Sequence, residues 1–143
     1  MKDLLAAIKV QLQAEASYVR KNDIYITEDE SLIPATTNFP AIAIKDGALR
    51  NEQRLAGNYI QHAQVRITIY QRVLKPEESI MGAQGVLVAA DDIINSLIGH
   101  KLNLADVKEA FPVAEDPSQL FVYEEEMIQK KTITFAYTIH KTW

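Results

Sequence analysis

The sequence predicts an α+β fold, a mostly antiparallel sheet with two helices packed on one face. Three observations predict it. Apolar residues recur at helical spacing in two separate segments. Alternation of apolar and polar residues marks strands, most clearly at residues 65–73 and 131–141. The elements follow in the order helix, strands, helix, strands, the arrangement of an α+β layer. A chain of 143 residues fits one domain spanning residues 1–143.

Leu4, Leu5, Ile8, Leu12, Ala16 and Val19 give a first helix over about residues 3–20. Asp3 is placed to cap its start and Asn22 to stop it in a left-handed conformation. A short strand, Ile24–Thr27, follows. Thr27 and Glu30 stand at capping-box spacing, but Pro34 arrives too soon for a helix, so a turn is expected. Pro40 opens the next strand, Ala41–Lys45, at a position that tolerates it, and Ile42 and Ile44 share a face. The segment Asp46–Asn58, DGALRNEQRLAGN, then reads as a loop of about thirteen residues where a tight hairpin needs only about two to five.

The strand after it, Tyr59–Val73, sets Val65, Ile67, Ile69 and Val73 against Gln64, Arg66, Thr68, Tyr70 and Arg72. Unbroken, it would span roughly 50 Å at about 3.3 Å per residue. A compact chain of this length is roughly 37 Å across, so the strand must bend, bulge or project. Projection makes Asp46–Asn58 an arm, hinged at Gly47 and Gly57, that docks on a neighbour through Arg50, Glu52 and Arg54. A surface loop that touches nothing is the alternative.

The second helix lies within Leu74–Leu102. Pro76, Glu77 and Glu78 mark its first turn, Val86, Ala90, Ile93, Ile94 and Leu97 its buried stripe, and Gly99 its stop. Further strands are expected at about Val107–Val113, Leu120–Ile128 and Lys131–Lys141. In the last, Ile133, Phe135, Tyr137 and Ile139 form the buried row. The sheet's other face carries Gln64, Arg66, Thr68, Tyr70, Thr132, Thr134 and Thr138. Such a face can be wet or can be a polar protein interface, with Arg66 and Tyr70 as contacts.

Composition narrows the function. With 15 basic and 19 acidic residues the chain is acidic, which argues against a nucleic-acid or anionic-membrane partner. It contains no cysteine, so disulfides, thiolate catalysis and cysteine-ligated zinc are excluded. The amino terminus mixes Lys2, Asp3, Lys9 and Glu15 into its apolar pattern, unlike a signal peptide, and no apolar run approaches the roughly 20 residues of a membrane span. A cytoplasmic protein is expected. His62, His100 and His140 have no partner at helical metal-ligand spacing, and Asp91–Asp92 and Glu124–Glu125–Glu126 read as solvated faces. No nucleophile elbow or phosphate-binding glycine loop occurs. No catalytic residue, metal or cofactor is expected.

One short stretch, IMGAQGVLV (Ile80–Val88), resembles the glycine loop of a KH domain, which clamps nucleotide backbone. That family places a lysine or arginine between the glycines. Here Ala83 and Gln84 stand there, with Glu77 and Glu78 upstream, so a small RNA-binding module using Gly82–Gly85 is the lesser reading. The glycines are otherwise expected to let a helix start pack closely on the sheet.

Nearly the whole chain resembles another family. An amino-terminal helix is followed by NFPAIAIKDG and QVRITIYQRV, then by the helix GVLVAADDIINSLIG, then by HKLNLADVKEAFPV and the last strand KKTITFAYTI. This order is similar to that of the tail terminator, or tail-completion, proteins of long-tailed bacteriophages and prophages, including the Mu-like group. The resemblance implies a non-enzymatic assembly protein. It implies a homo-hexameric ring that caps the tail tube protein, ends its polymerisation and offers a surface to the head–tail connector. It also implies a place in the bacterial host's cytoplasm and then in the virion tail.

Overall fold

The computed structural model describes residues 1–83 and 85–143. Helix α1 (Lys2–Glu15) buries Leu4, Leu5, Ile8 and Leu12. It stops five residues short of the expected end, and Asn22 does not stop it. The amide of Ala16 still bonds the carbonyl of Leu12, but that of Val19 bonds Ala16 in a three-residue turn. Ala16 and Val19 stay buried through that turn, so the apolar spacing outlasts the helix. The helix opens at Met1 without a side-chain cap; Asp3 lies in the first turn instead, where a carboxylate favours the helix dipole.

A 3-10 turn (Lys21–Asp23) leads into β1 (Ile24–Ile26), which pairs parallel with β2 (Ala41–Gln53). Between them, Thr27 and Asp29 build the expected turn, with the Ser31 amide donating to Asp29 Oδ1 at 2.9 Å. β2 does not end at Lys45. It continues to Gln53, antiparallel to β3 (Asn58–Arg72), in a register that runs from Ala41↔Tyr70 to Gln53↔Tyr59 with one irregularity between Asp46 and Leu49. Gly47 sits at that irregularity, where an added Cβ would lie 2.9 Å from the Gln64 carbonyl oxygen. The expected long loop is therefore mostly strand, and Gly47 is a close-approach position rather than a hinge. Polarity hid this: a strand solvated on both faces shows no period-two pattern.

The second helix is two helices, α2 (Pro76–Met81) and α3 (Val86–Leu97). The break falls on the glycine loop. A Cβ on Gly82 would meet the Glu78 carbonyl oxygen at 2.6 Å, and one on Gly85 the Ile80 carbonyl oxygen at 2.6 Å. The glycines thus allow the chain to fold back on α2, not to approach the sheet. Gln84, one of the two middle residues of the loop, lies outside the described residues. α3 buries Val86, Ala89, Ala90, Ile93 and Leu97, with Ile94 only partly covered, and Gly99 follows with φ +67°.

Two strands then flank one long one. β4 (Val107–Glu115) and β5 (Gln119–Tyr123) both pair antiparallel with β6 (Glu126–Thr142), β4 against residues 133–139 and β5 against 126–130. The strand expected at Leu120–Ile128 is broken by a tight turn in which Glu124 and Glu125 both have positive φ, 48° and 66°. Glu124 and Glu126 therefore do not share a strand face. The six-stranded sheet runs β1-β2-β3-β6-β4, with β5 beside β4 on the same flank of β6.

α1 and α3 cover one face, packing on Ile42, Ile44, Val65, Ile67, Ile69, Ile133, Phe135 and Tyr137. The other face is not uniformly wet. Ile33, Tyr70, Ile128, Ala41 and Ala43 form a second apolar cluster, with Phe39, Phe121 and Tyr123 against it. Thr68 and Thr132 are buried beneath it and share a hydrogen bond of 2.9 Å. The segment between β1 and β2 crosses this half of the sheet and closes it. Asp23, also buried, fixes the end of that segment beside β1 by accepting from Arg20 at 2.8 Å and from the Asn38 amide at 3.0 Å.

Two predictions follow from the packing. Gly85→Ala forces a Cβ against two backbone carbonyls and should cost about 1–3 kcal/mol in a urea melt, whereas an alanine there would be near neutral if the helix break were open. Tyr137 is buried and its hydroxyl bonds no protein group among the described residues; burial also pushes its acidity well below that of an ordinary tyrosine. Tyr137→Phe should leave stability unchanged or raise it by up to about 1 kcal/mol; a clear loss would mean that the hydroxyl is satisfied.

Candidate functional site

The part of the fold that the core does not require is one end of the long strands. Beyond Ala63, which is buried, β2, β3 and β6 run on together; β4 accompanies β6 only as far as Val107↔Ile139, and past that pair the three form an arm. Its register reaches Gln53↔Tyr59 on one side and Asn58↔Thr142 on the other. The tip closes with the Arg54 amide donating to the Asn58 carbonyl at 3.1 Å and Gly57 at φ +80°. Trp143 is tied in: its amide bonds the Gly57 carbonyl at 2.9 Å and its ring lies 5.9 Å from that of Tyr59. Leu55 at the tip is 87% exposed.

Arg50, Glu52 and Arg54 alternate along one face of the arm. Glu52 contacts His62 Nε2 at 3.0 Å and Arg54 at 3.5 Å. The hydrogen bond from His62, followed by the charge of Arg54, holds its carboxyl below the usual glutamate value. Arg50 is exposed and forms no ion pair among the described residues. This face of the arm thus presents one internally satisfied ion cluster and the unpaired Arg50.

Arg66 and Tyr70 do different work. Arg66 is half-buried, with Nε and Nη2 on the Glu30 carboxylate and Nη2 also 3.3 Å from Asp116. That pairing with Glu30 raises the guanidinium's affinity for its proton. Tyr70 is fully buried, and its hydroxyl donates to the Glu30 carbonyl. Tyr123 holds the same segment by donating to the Ile33 carbonyl at 2.6 Å. Arg66 and Tyr70 therefore fasten the covering segment to the sheet, and Tyr70 is closed to any partner in the folded subunit. The acidic groups that a neighbour's Arg50 or Arg54 could meet divide likewise. Glu30 is taken by Arg66 and Glu126 by Arg72 at 3.3 Å, leaving Glu28 exposed on the covering segment and Glu124 and Glu125 exposed in their turn.

Sequence reasoning placed a strand over Leu120–Ile128 but missed the turn at Glu124 and Glu125 that makes β5 a separate edge strand. Its free flank exposes Leu120 and Val122, 59% and 67% accessible. The signal was legible as QLFVY, an apolar stretch with no charge and no proline. The Gly82–Gly85 loop carries no cation among its described residues, and the nearest in sequence, Lys75, faces Glu78 at 3.9 Å. Among the described residues no three histidine, aspartate or glutamate side chains gather as metal ligands. No helix among them is long and apolar enough to cross a membrane.

The Glu52 contacts make the arm sensitive to acid. A carboxyl with a depressed folded-state value contributes stability above its ordinary value, 4.5, and loses it as the pH falls through the depressed one. Amide protection of residues 51–60 should therefore drop below pH 4.5 in the parent. In Glu52→Gln it should change little over the same window. Equal pH dependence in both would mean that Glu52 does not hold the arm.

No family model matches the chain, and no curated protein matches it. Among solved structures, a chain in the virion of a native gene transfer agent (GTA) particle superposes with a TM-score of 0.65. The match covers 95% of this chain and 94% of that one at 13% identity. At that identity the likeness is one of fold, and it extends from end to end over both chains.

Proposed function

We propose that this protein is a non-enzymatic virion assembly protein, a tail terminator of a phage or prophage. Six copies form a ring that caps the tail tube, ends its polymerisation and offers a surface to the head–tail connector. The observation that carries the reading is the end-to-end fold likeness to a virion chain, reached independently of the element order that suggested it. The arm supports it, because an ordered projection outside the core is what a subunit needs to reach a neighbour. Arg50, Glu52 and Arg54 are its proposed contacts, with Arg66 available only through its exposed side. The action is mechanical: surfaces are matched and bonds are neither made nor broken. No cofactor, nucleic acid or membrane enters it, and the protein works in the host cytoplasm and then in the tail.

The test is light scattering and negative-stain microscopy of the purified chain, alone and with tail tubes. A closed ring, or tubes capped at one end, is expected; monomer at every concentration with uncapped tubes would overturn the reading. Shortening the arm by joining Arg50 to His62 through an Asn–Gly turn spares the buried rows and should leave the melting temperature close to the parent's, since no residue from Asn51 to Gln61 belongs to the buried core. It should abolish assembly. A shortened variant that caps tubes as well as the parent would remove the arm from the mechanism.

A further inference from the structure

We infer that β5 is the receiving edge for the arm of a second copy, so that neighbouring subunits join by adding a strand of one sheet to the other. The backbone geometry of β5 is the first observation. The Met127 carbonyl accepts from the Val73 amide at 2.9 Å, on the side of β6 away from β5. In an antiparallel ladder a residue that bonds away from its partner belongs to a non-hydrogen-bonded pair. Val122, opposite Met127, and Leu120, opposite Gln129, therefore aim both amide and carbonyl outward. The flank exposes these groups beside two apolar side chains, with no charge or proline within Gln119–Tyr123. Unprotected edges of this kind template strand addition.

The neighbouring edge is built the opposite way. β4 carries Pro112 and two register shifts, between Val107 and Glu109 and between Pro112 and Ala114. Both devices block pairing. Protection on β4 and none on β5, along one flank of the same strand, marks β5 as the open position.

The occupant follows from the other border of the sheet. β1 covers only Ile42–Ile44 of β2, so the outer flank of the arm is also unpaired from Leu49 to Gln53. The Arg54 amide bonds inward to Asn58, and by alternation Gln53, Asn51 and Leu49 aim outward. Charge agrees. Arg50 on the arm and Glu124 and Glu125 at the end of β5 are exposed and form no ion pair among the described residues. Position agrees too. β5 pairs β6 around Ile128 and the arm pairs it around His140, roughly 40 Å apart at about 3.3 Å per residue. An arm extending past its own body meets a neighbour displaced in the direction in which it points, and that displacement brings the arm to the neighbour's far end, where β5 lies. The two edges differ, so the contact is heterologous and each subunit gives one and receives one.

This inference rests on the ring reading, and one set of measurements separates the two. Val122→Lys should keep the parent's melting temperature and raise the concentration needed for assembly about tenfold or more. The chain has no cysteine, so Asn51→Cys and Val122→Cys can be joined by a short bismaleimide. The double variant should give a ladder of covalent oligomers, and a mixture of the two single variants should give one heterodimer band. Rings without these cross-links, or rings that form equally well with Val122→Lys, would overturn the β5 contact and leave the ring standing. Monomer throughout, with tubes uncapped, would overturn both.

Discussion

The ladder between β3 and β6 is the constraint on which the rest depends. It pairs fifteen consecutive residues, Asn58↔Thr142 to Arg72↔Ile128, and is longer than the core it supports. Its middle is buried on both sides, under α1 and α3 on one face and under the segment between β1 and β2 on the other. Its two ends cannot be covered by the same elements. One becomes the arm, with β2 added; the other becomes the hairpin of β5 and β6. Lengthening this pair of strands is thus what gives the subunit two exposed, dissimilar ends.

Covering the second face took polar chemistry. The segment that crosses it is irregular and must satisfy its own backbone groups. Tyr70 and Tyr123 do so from below by donating to the carbonyls of Glu30 and Ile33, Arg66 pairs the Glu30 carboxylate, and Thr68 and Thr132 satisfy each other. Along the strand these residues look like an ordinary solvated row. Their burial follows from contacts between segments some 36 to 90 positions apart, which no local pattern encodes.

That difference explains what was legible. The rows Val65, Ile67, Ile69 and Ile133, Phe135, Tyr137 were readable because one face is buried under helices and the other is polar, so period two survives. The helix stripe Val86, Ala90, Ile93 and Leu97 was readable for the same reason. Three features were not. The arm strand Leu49–Gln53 is solvated on both faces and has no period. The break between α2 and α3 depends on glycines whose steric role appears only against the carbonyls of Glu78 and Ile80. The β5–β6 turn uses two glutamates at positive φ, where asparagine and glycine are the usual signal. Of the candidate site, Arg50, Glu52 and Arg54 were placed on a projection from strand length alone. Tyr70 was drawn to the same surface by its parity and lies beneath a cover that parity cannot report.

The nature of the arm bears on how tightly a subunit can hold its neighbour. A flexible loop of the same length would have to be ordered on docking, at a cost of roughly 0.5–1.5 kcal/mol for each immobilised side chain and more for the backbone. The arm has met much of that cost within the subunit. Three strands hold its backbone, Glu52 is bound to His62, and Trp143 closes the tip against Gly57 and Tyr59. What remains open to a partner includes the outer flank of β2, Leu55 and Arg50. A surface whose interior is ordered and whose outward groups are left open is pre-organised for one contact geometry. Pre-organisation limits both the entropy lost on binding and the number of wrong registers that can compete. In an assembly that must close after a fixed number of copies, register matters more than strength, because one slipped pairing changes the angle between subunits and turns a ring into an open helix.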